Sequence, residues 1–336
     1  MAGGLDRSGQ SVAAIFESGD YVELSFGSVT PSVTGVGPDA TFTGTTDSGN
    51  VAPAYTIFGM GMRTQLSDNF ALGLILDQPF GAHVDYAEPG YALYESAAEV
   101  NSTGITILGR YNVTDAIAIH AGPRIVSANG VYTANDPATG PGIDYTSTYS
   151  SDTAVGYVVG ASYEIPDIAL RAALTYSSAL DMYLDGTAGD IDVALPQSVN
   201  LDFQTGIAAD TLAFVNIRWA DWTEAYITDT LAGNLVDYDN DTITYSAGVG
   251  RKFSDTFSGS ITVGYEEAQG GAASNLSPTD GYLSLSVGGA YTLENGMKIS
   301  GGIRYVDIGD ATTETINASF TDNSALAIGL KISTSF

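Results

Sequence analysis

Residues 324–336 read Ser-Ala-Leu-Ala-Ile-Gly-Leu-Lys-Ile-Ser-Thr-Ser-Phe. Leu326, Ile328, Leu330, Ile332 and Phe336 fall in one alternating phase, while Ala325, Ala327, Gly329, Lys331, Ser333 and Ser335 fill the other. Such a period of two is a strand with one greasy face and one small or polar face. A lysine set between large aliphatics, in a strand that ends on Phe, suits a sheet whose outer face meets lipid and whose inner face meets water.

Composition is compatible with that reading and removes several others. No apolar run approaches the roughly 20 residues of a membrane helix, so insertion by helices is excluded. The chain has no Cys and therefore does not depend on disulfides. With 39 acids against 11 bases the net charge is −28, which excludes a nucleic-acid partner held through phosphates. The opening MAGGLDRSGQ has neither a basic n-region nor an apolar h-region and reads as a mature form behind an added start Met.

Working back from the terminal strand, short turn signals recur: Ser67-Asp68-Asn69, Val113-Thr114-Asp115, Ile165-Pro166-Asp167, Ala209-Asp210-Thr211, Phe253-Ser254-Asp255 and Leu293-Glu294-Asn295-Gly296. Each separates two alternating runs, as a hairpin does. The spacing predicts strands over 21–30, 52–66, 69–79, 102–112, 116–126, 153–164, 167–178, 197–208, 211–222, 240–253, 256–267, 279–292, 296–308 and 323–336. In 52–66 the residues Phe58, Met60 and Met62 compete with Tyr55 and Ile57 for the greasy face, so its register stays open.

A soluble sandwich shows the same alternation. Three features favour a membrane barrel instead. The strands are about 11 residues long, the length a tilted membrane strand needs. Their number is even, with strictly alternating short and long connections. Aromatics gather where strands end: Phe70, Tyr111, Tyr163, Phe253, Phe257 and Tyr291 beside short turns, Tyr176, Trp219, Tyr265 and Tyr305 beside long loops. The long connections carry acids and no Lys or Arg, a pattern that keeps the outer surface soluble beside lipopolysaccharide, and no calcium-loop spacing is present. Both termini are expected on the periplasmic side, with loops near 136–145 and 229–239 open to surface-applied protease.

Several segments then carry a family resemblance: GLDRSGQSVAAIF (4–16), LDQPFGAHVDY (76–86), LPQSVNLDFQTGIAADTLAFVNIRWADW (195–222) and the terminal Phe336. Together they resemble the FadL family of outer-membrane transporters for long-chain fatty acids and other hydrophobic compounds. The resemblance implies an all-β fold: a 14-stranded antiparallel transmembrane β-barrel, with an amino-terminal hatch at 1–20 and the barrel over 21–336. It further implies a Gram-negative outer-membrane location, passive uptake by a monomer without a cofactor, and a kinked third strand giving lateral release into the bilayer. The family's Asn-Pro-Ala segment before the first strand is missing here, where Ser18-Gly19-Asp20 runs straight into Tyr21, so the hatch is shorter.

On the assigned phases Arg110, His120, Arg124, Arg171, Arg218, Lys298, Arg304 and Lys331 face inward, as do Glu23, Asp77 and Asp202. A hydrophobic carboxylate needs a cation for its head, which makes Arg110, Arg124, Arg171, Arg218 and Arg304 candidate ligand residues. The alternative pairs them with lumenal acids. Ile15 and Phe16, with Val12 and Ala13, either line a lumenal pocket or pack the hatch against the wall. Asp77, Pro79 and Gly81 mark a lateral opening in the third strand, with Pro123 as the neighbour across the gap, because Pro lacks a ladder donor. In 80–101, the residues Tyr86, Tyr91, Leu93 and Tyr94 are expected to form an outer hydrophobic groove on a partly helical loop, or to pack on neighbouring loops. Phe336 is expected to meet lipid and to be read by the barrel-assembly machinery. A general porin is the main competing function. An esterase barrel is a weaker one, since His83 and His120 lie near no Ser-bearing motif.

Overall fold

The computed structural model describes residues 4–37, 44–135 and 144–336. The tip of the expected protease-sensitive loop, 136–143, lies outside them. Fourteen antiparallel strands close on themselves. They are β1 (Tyr21–Ser32), β2 (Tyr55–Ser67), β3 (Phe70–Asp77), β4 (Ala97–Asn112), β5 (Ile117–Asn135), β6 (Asp144–Ile165) and β7 (Leu170–Ser177), then β8 (Ser198–Ala208), β9 (Thr211–Ala220), β10 (Thr242–Lys252), β11 (Phe257–Glu266), β12 (Tyr282–Thr292), β13 (Lys298–Ile308) and β14 (Asn323–Ser335). Closure comes from β1 against β14, in register from Tyr21↔Ser335 to Ser32↔Ser324. Closure pairs the strands on both sides over most of their length, and that is the condition for a sheet to cross a bilayer.

The inward and outward phases follow the alternation. Val155, Val287 and Ile303 are 70 %, 59 % and 55 % exposed on the outside, an apolar girdle that only lipid would cover. In β2 the register is now defined by pairing with β1, Phe26↔Phe58 and Gly27↔Ile57. Phe58 and Met62 are exposed outward while Arg63 is buried inward. The greasy side of this strand is therefore the methionine side, a choice made by its neighbour.

Much of what the alternation leaves as loop is itself sheet. β5 and β6 run for 19 and 22 residues, well past the bilayer. Short strands at Leu180–Leu184, Ile191–Leu195, Tyr226–Asp229 and Gly233–Asp237 form a separate four-stranded sheet. Its underside, with Leu180, Met182, Ile191 and Val193, belongs to one buried apolar cluster. A second cluster gathers Val29, Val33, Tyr86, Tyr91 and Phe320. Burial of Asp229 raises its carboxyl, but hydrogen bonds from Tyr149 and from the N–H groups of Ala232 and Leu231 outweigh that and hold it below the usual carboxylate range.

Candidate functional site

The wall is broken at the third strand. Pairing of β2 with β3 ends at Met60↔Leu76, and β2 from Tyr55 to Gly59 is paired only with β1. The chain leaves the ladder over Gln78-Pro79-Phe80 and resumes as a strand at Gly81–Asp85, hydrogen-bonded to β4 but not to β2. Pro79 supplies no N–H. Gln78 caps part of the exposed edge, its Oε1 accepting the Phe58 N–H at 2.9 Å. Gly104 on β4 makes room for the bend, since a Cβ there would lie 2.6 Å from Asp77 Oδ1.

Pro123 stands elsewhere. It pairs with Tyr157 of β6 and interrupts the other ladder of β5, where Ile107 and Leu108 of β4 have no partners on β5 between Thr106↔Arg124 and Gly109↔Ala121. The strand facing the breach is β2, so the expectation that Pro123 lies across the gap is corrected. A missing donor disturbs only the ladder on its own side, and that ladder is β4–β5.

The amino-terminal segment stitches itself to the break. The Arg7 N–H donates to Pro79 O at 2.9 Å and the Gly81 N–H to Leu5 O at 2.8 Å. The Arg7 guanidinium sits 4.5 Å above the Tyr55 ring of β2, on the opposite bank. A cavity of about 330 Å³ beside the break is lined by Ser8, Glu23 and Asp77 together with Phe26, Phe58 and Met60.

The arginines singled out from sequence are engaged by protein groups. Arg218 grips Asp6 with two bonds of 2.7 and 3.0 Å, and also donates to Asn200 at 3.0 Å. Arg124 bonds Gln10 and lies 3.6 Å from Asp77, which accepts from Ser8 at 2.6 Å. Arg110 pairs with Glu164 at 2.5 Å, and Arg171 lies 4.8 Å from the Phe16 ring centre. Arg304 lies 5.2 Å over Tyr282. Ile15 and Phe16 are buried with Ile75, Leu108, Val158 and Ala173. Both side chains pack against the barrel wall. His120 bonds Thr175 at 3.0 Å, and His83 stands opposite Glu99.

Outside, Tyr86, Tyr91 and Leu93 are buried, the two rings stacked at 5.7 Å and the Tyr86 hydroxyl donating to Asn275 O at 2.7 Å. Burial, helped by Asp47, pushes the Tyr91 phenol up to about 12. Tyr94 is half-buried, and its carbonyl accepts from Asn135 Nδ2 at 2.6 Å. Among the described residues of 80–101 there is no helix. The aromatics hold neighbouring loops together, and Tyr86 and Leu93 border an outer cavity of about 550 Å³.

Between that cavity and the break lies a pocket the sequence reading missed. About 60 Å³ is open in it to the centre of a water-sized molecule, with Phe80, Leu195, Ile227, Leu235, Tyr238 and Leu276 on its wall. No Lys or Arg borders it, and Glu99 is the charged residue that does. Leu235, Tyr238 and Leu276 also border the outer cavity. Leu5, Ala82 and Leu276 border a further cavity beside the break, which shares Arg7 with the cavity of about 330 Å³. The cavities form a series from the outer loops to the breach. A signal for the pocket existed in the alternation Leu180, Met182, Leu184 and Ile191, Val193, Leu195, in a stretch read as loop.

A closed antiparallel barrel with an apolar girdle, a segment folded onto its inner wall and a breach in that wall defines an outer-membrane transport channel. A scan against protein families matches residues 13–336 to the outer membrane protein transport protein family (OMPP1/FadL/TodX), and the chain belongs to that family. A search of curated proteins returns no match. Among solved structures, a Pseudomonas aeruginosa FadL homologue superposes with a TM-score of 0.79 at 15% identity, covering 100% of this chain and 96% of that one. The P. putida toluene transporter TodX gives 0.70 at 14%, covering 96% and 91%. The Ralstonia pickettii toluene transporter TbuX gives 0.65 at 13%, again covering 96% and 91%.

Proposed function

We propose that this chain is a passive channel for uncharged hydrophobic molecules, which enter by the outer cavity, bind in the apolar pocket and leave sideways through the breach beside β2. Residues 1–20 serve as the hatch that closes the lumen. The observation that carries the reading is the series of adjoining cavities whose middle member is apolar and borders no cation. A carboxylate head has no partner there, whereas a compact hydrocarbon does not need one. The names of two similar structures describe toluene transporters, consistent with a ligand of that size. Sideways exit is also the cheaper route. Release into periplasmic water costs about 0.8 kcal/mol for each methylene exposed, and release into lipid does not.

Cysteines placed at Phe58 and Gln78, in contact across the breach and introduced into a chain that has none, test the exit. Oxidation should abolish toluene uptake into vesicles carrying the folded barrel, and reduction should restore it. Undiminished uptake with a verified cross-link would send the ligand down the lumen instead.

A further inference from the structure

Among the polar side chains on the pocket wall, the Tyr238 hydroxyl is the buried one that finds no hydrogen-bond partner among the described residues. Tyr238, in the connection between β9 and β10, borders both the outer cavity and the pocket. Trp222 packs on the ring with centroids 4.9 Å apart, which limits where the hydroxyl can turn. Tyr149, the neighbouring phenol on the wall, is by contrast committed to Asp229 at 2.5 Å.

A buried donor discriminates among ligands. A hydrocarbon leaves the Tyr238 O–H without an acceptor and gains nothing from it. A ligand that brings a neutral oxygen to the same place completes the bond. An anionic oxygen gains less, because the wall carries Glu99 and no Lys or Arg. We infer that the pocket is tuned to neutral oxygen-bearing hydrophobic molecules, such as one-ring ketones, alcohols or ethers, with Tyr238 as the donor that sets this preference. The inference rests on the pocket reading above and narrows its substrate class.

The test compares acetophenone and ethylbenzene, similar in shape and differing in the carbonyl, by calorimetric titration of the full-length barrel in detergent. Tyr238→Phe should weaken acetophenone roughly 5- to 10-fold, the size of one neutral hydrogen bond, and leave ethylbenzene unchanged or tighter. Equal factors for both ligands would overturn the assignment to Tyr238 while leaving the pocket standing. Binding of neither ligand to the wild-type barrel would remove the pocket reading itself. Benzoate supplies a measurement that needs no variant: it should bind the wild-type barrel at least about tenfold more weakly than acetophenone, and benzoate binding as tightly would overturn the preference for neutral oxygen.

Discussion

The two sides of the lumen are both lined by small inward residues, yet they hold opposite contents. On the side of β2 and β3, Gly61 and Gly73 touch the amino-terminal segment: a Cβ would lie 2.7 Å from the Ala14 Cβ at the first and 2.6 Å from Ile15 Cδ1 at the second. On the side of β11 to β14, residues such as Ser260, Gly288, Gly302 and Gly329 border an open cavity of about 1180 Å³ toward the short turns. A Cβ on Gly329 would meet nothing nearer than 4.0 Å. Gly61 and Gly73 thus mark close approach, and Gly329 marks empty width. What separates the two cases is the segment lying opposite, which a strand's own sequence does not record.

The cavity on the open side shares no lining residue with the outer one. Between them Glu266 and Ser284 are buried, Thr244 donates to Glu266 at 2.8 Å, and Arg304 covers Tyr282.

The largest effect should come from the anchor of the filled side. Arg218→Ala strands Asp6 beside the wall, and loss of one partner from a buried ion pair costs roughly 3–5 kcal/mol. Hydrogen exchange at the Arg7 and Gly81 amides, which bond across the break, should accelerate accordingly. Unchanged exchange would mean the backbone pairing holds the segment without the ion pair. Next, Gly73→Val overpacks Ile15 at roughly 1–3 kcal/mol. The Ile15 and Glu17 amides should lose protection, while Gly329→Val on the open side leaves them unmoved. Equal responses to the two substitutions would break the comparison.

The smallest effect lies in the outer sheet above the lumen. Asp229 has a depressed folded-state pKa, so its contribution is present at neutral pH, above the ordinary carboxylate range, and is lost as pH falls through the depressed value. Amide protection in 180–184 and 226–237, taken relative to the intrinsic exchange rate at each pH, should therefore fall in acid, and Asp229→Asn, at roughly 1 kcal/mol, should weaken that pH dependence. An acid response that persists in full in Asp229→Asn would locate the titrating group elsewhere.

How much was legible follows from the range of each interaction. Alternation is a property of neighbours in the chain, so the strand count and the inward phase of Arg124 or Arg218 could be read directly, whereas the choice of Pro79 over Pro123 as the break rested on the family resemblance. The register of β2 could not, because its two candidate faces are both apolar and only pairing with β1 chooses between them. Pro123 showed that a ladder is interrupted without showing which one.

The sequence by itself determined a membrane barrel with a polar lumen and two prolines that interrupt its ladders, because period, length and missing donors act locally on the backbone. Tertiary structure alone decided what the lumenal arginines hold, which strand faces the breach and that an apolar pocket with one unpartnered hydroxyl lies behind it. Asp6 and Arg218 are 212 positions apart, and the pocket wall draws on residues from Leu5 to Ser277. Contacts of that span are chosen by closure of the barrel around its amino terminus.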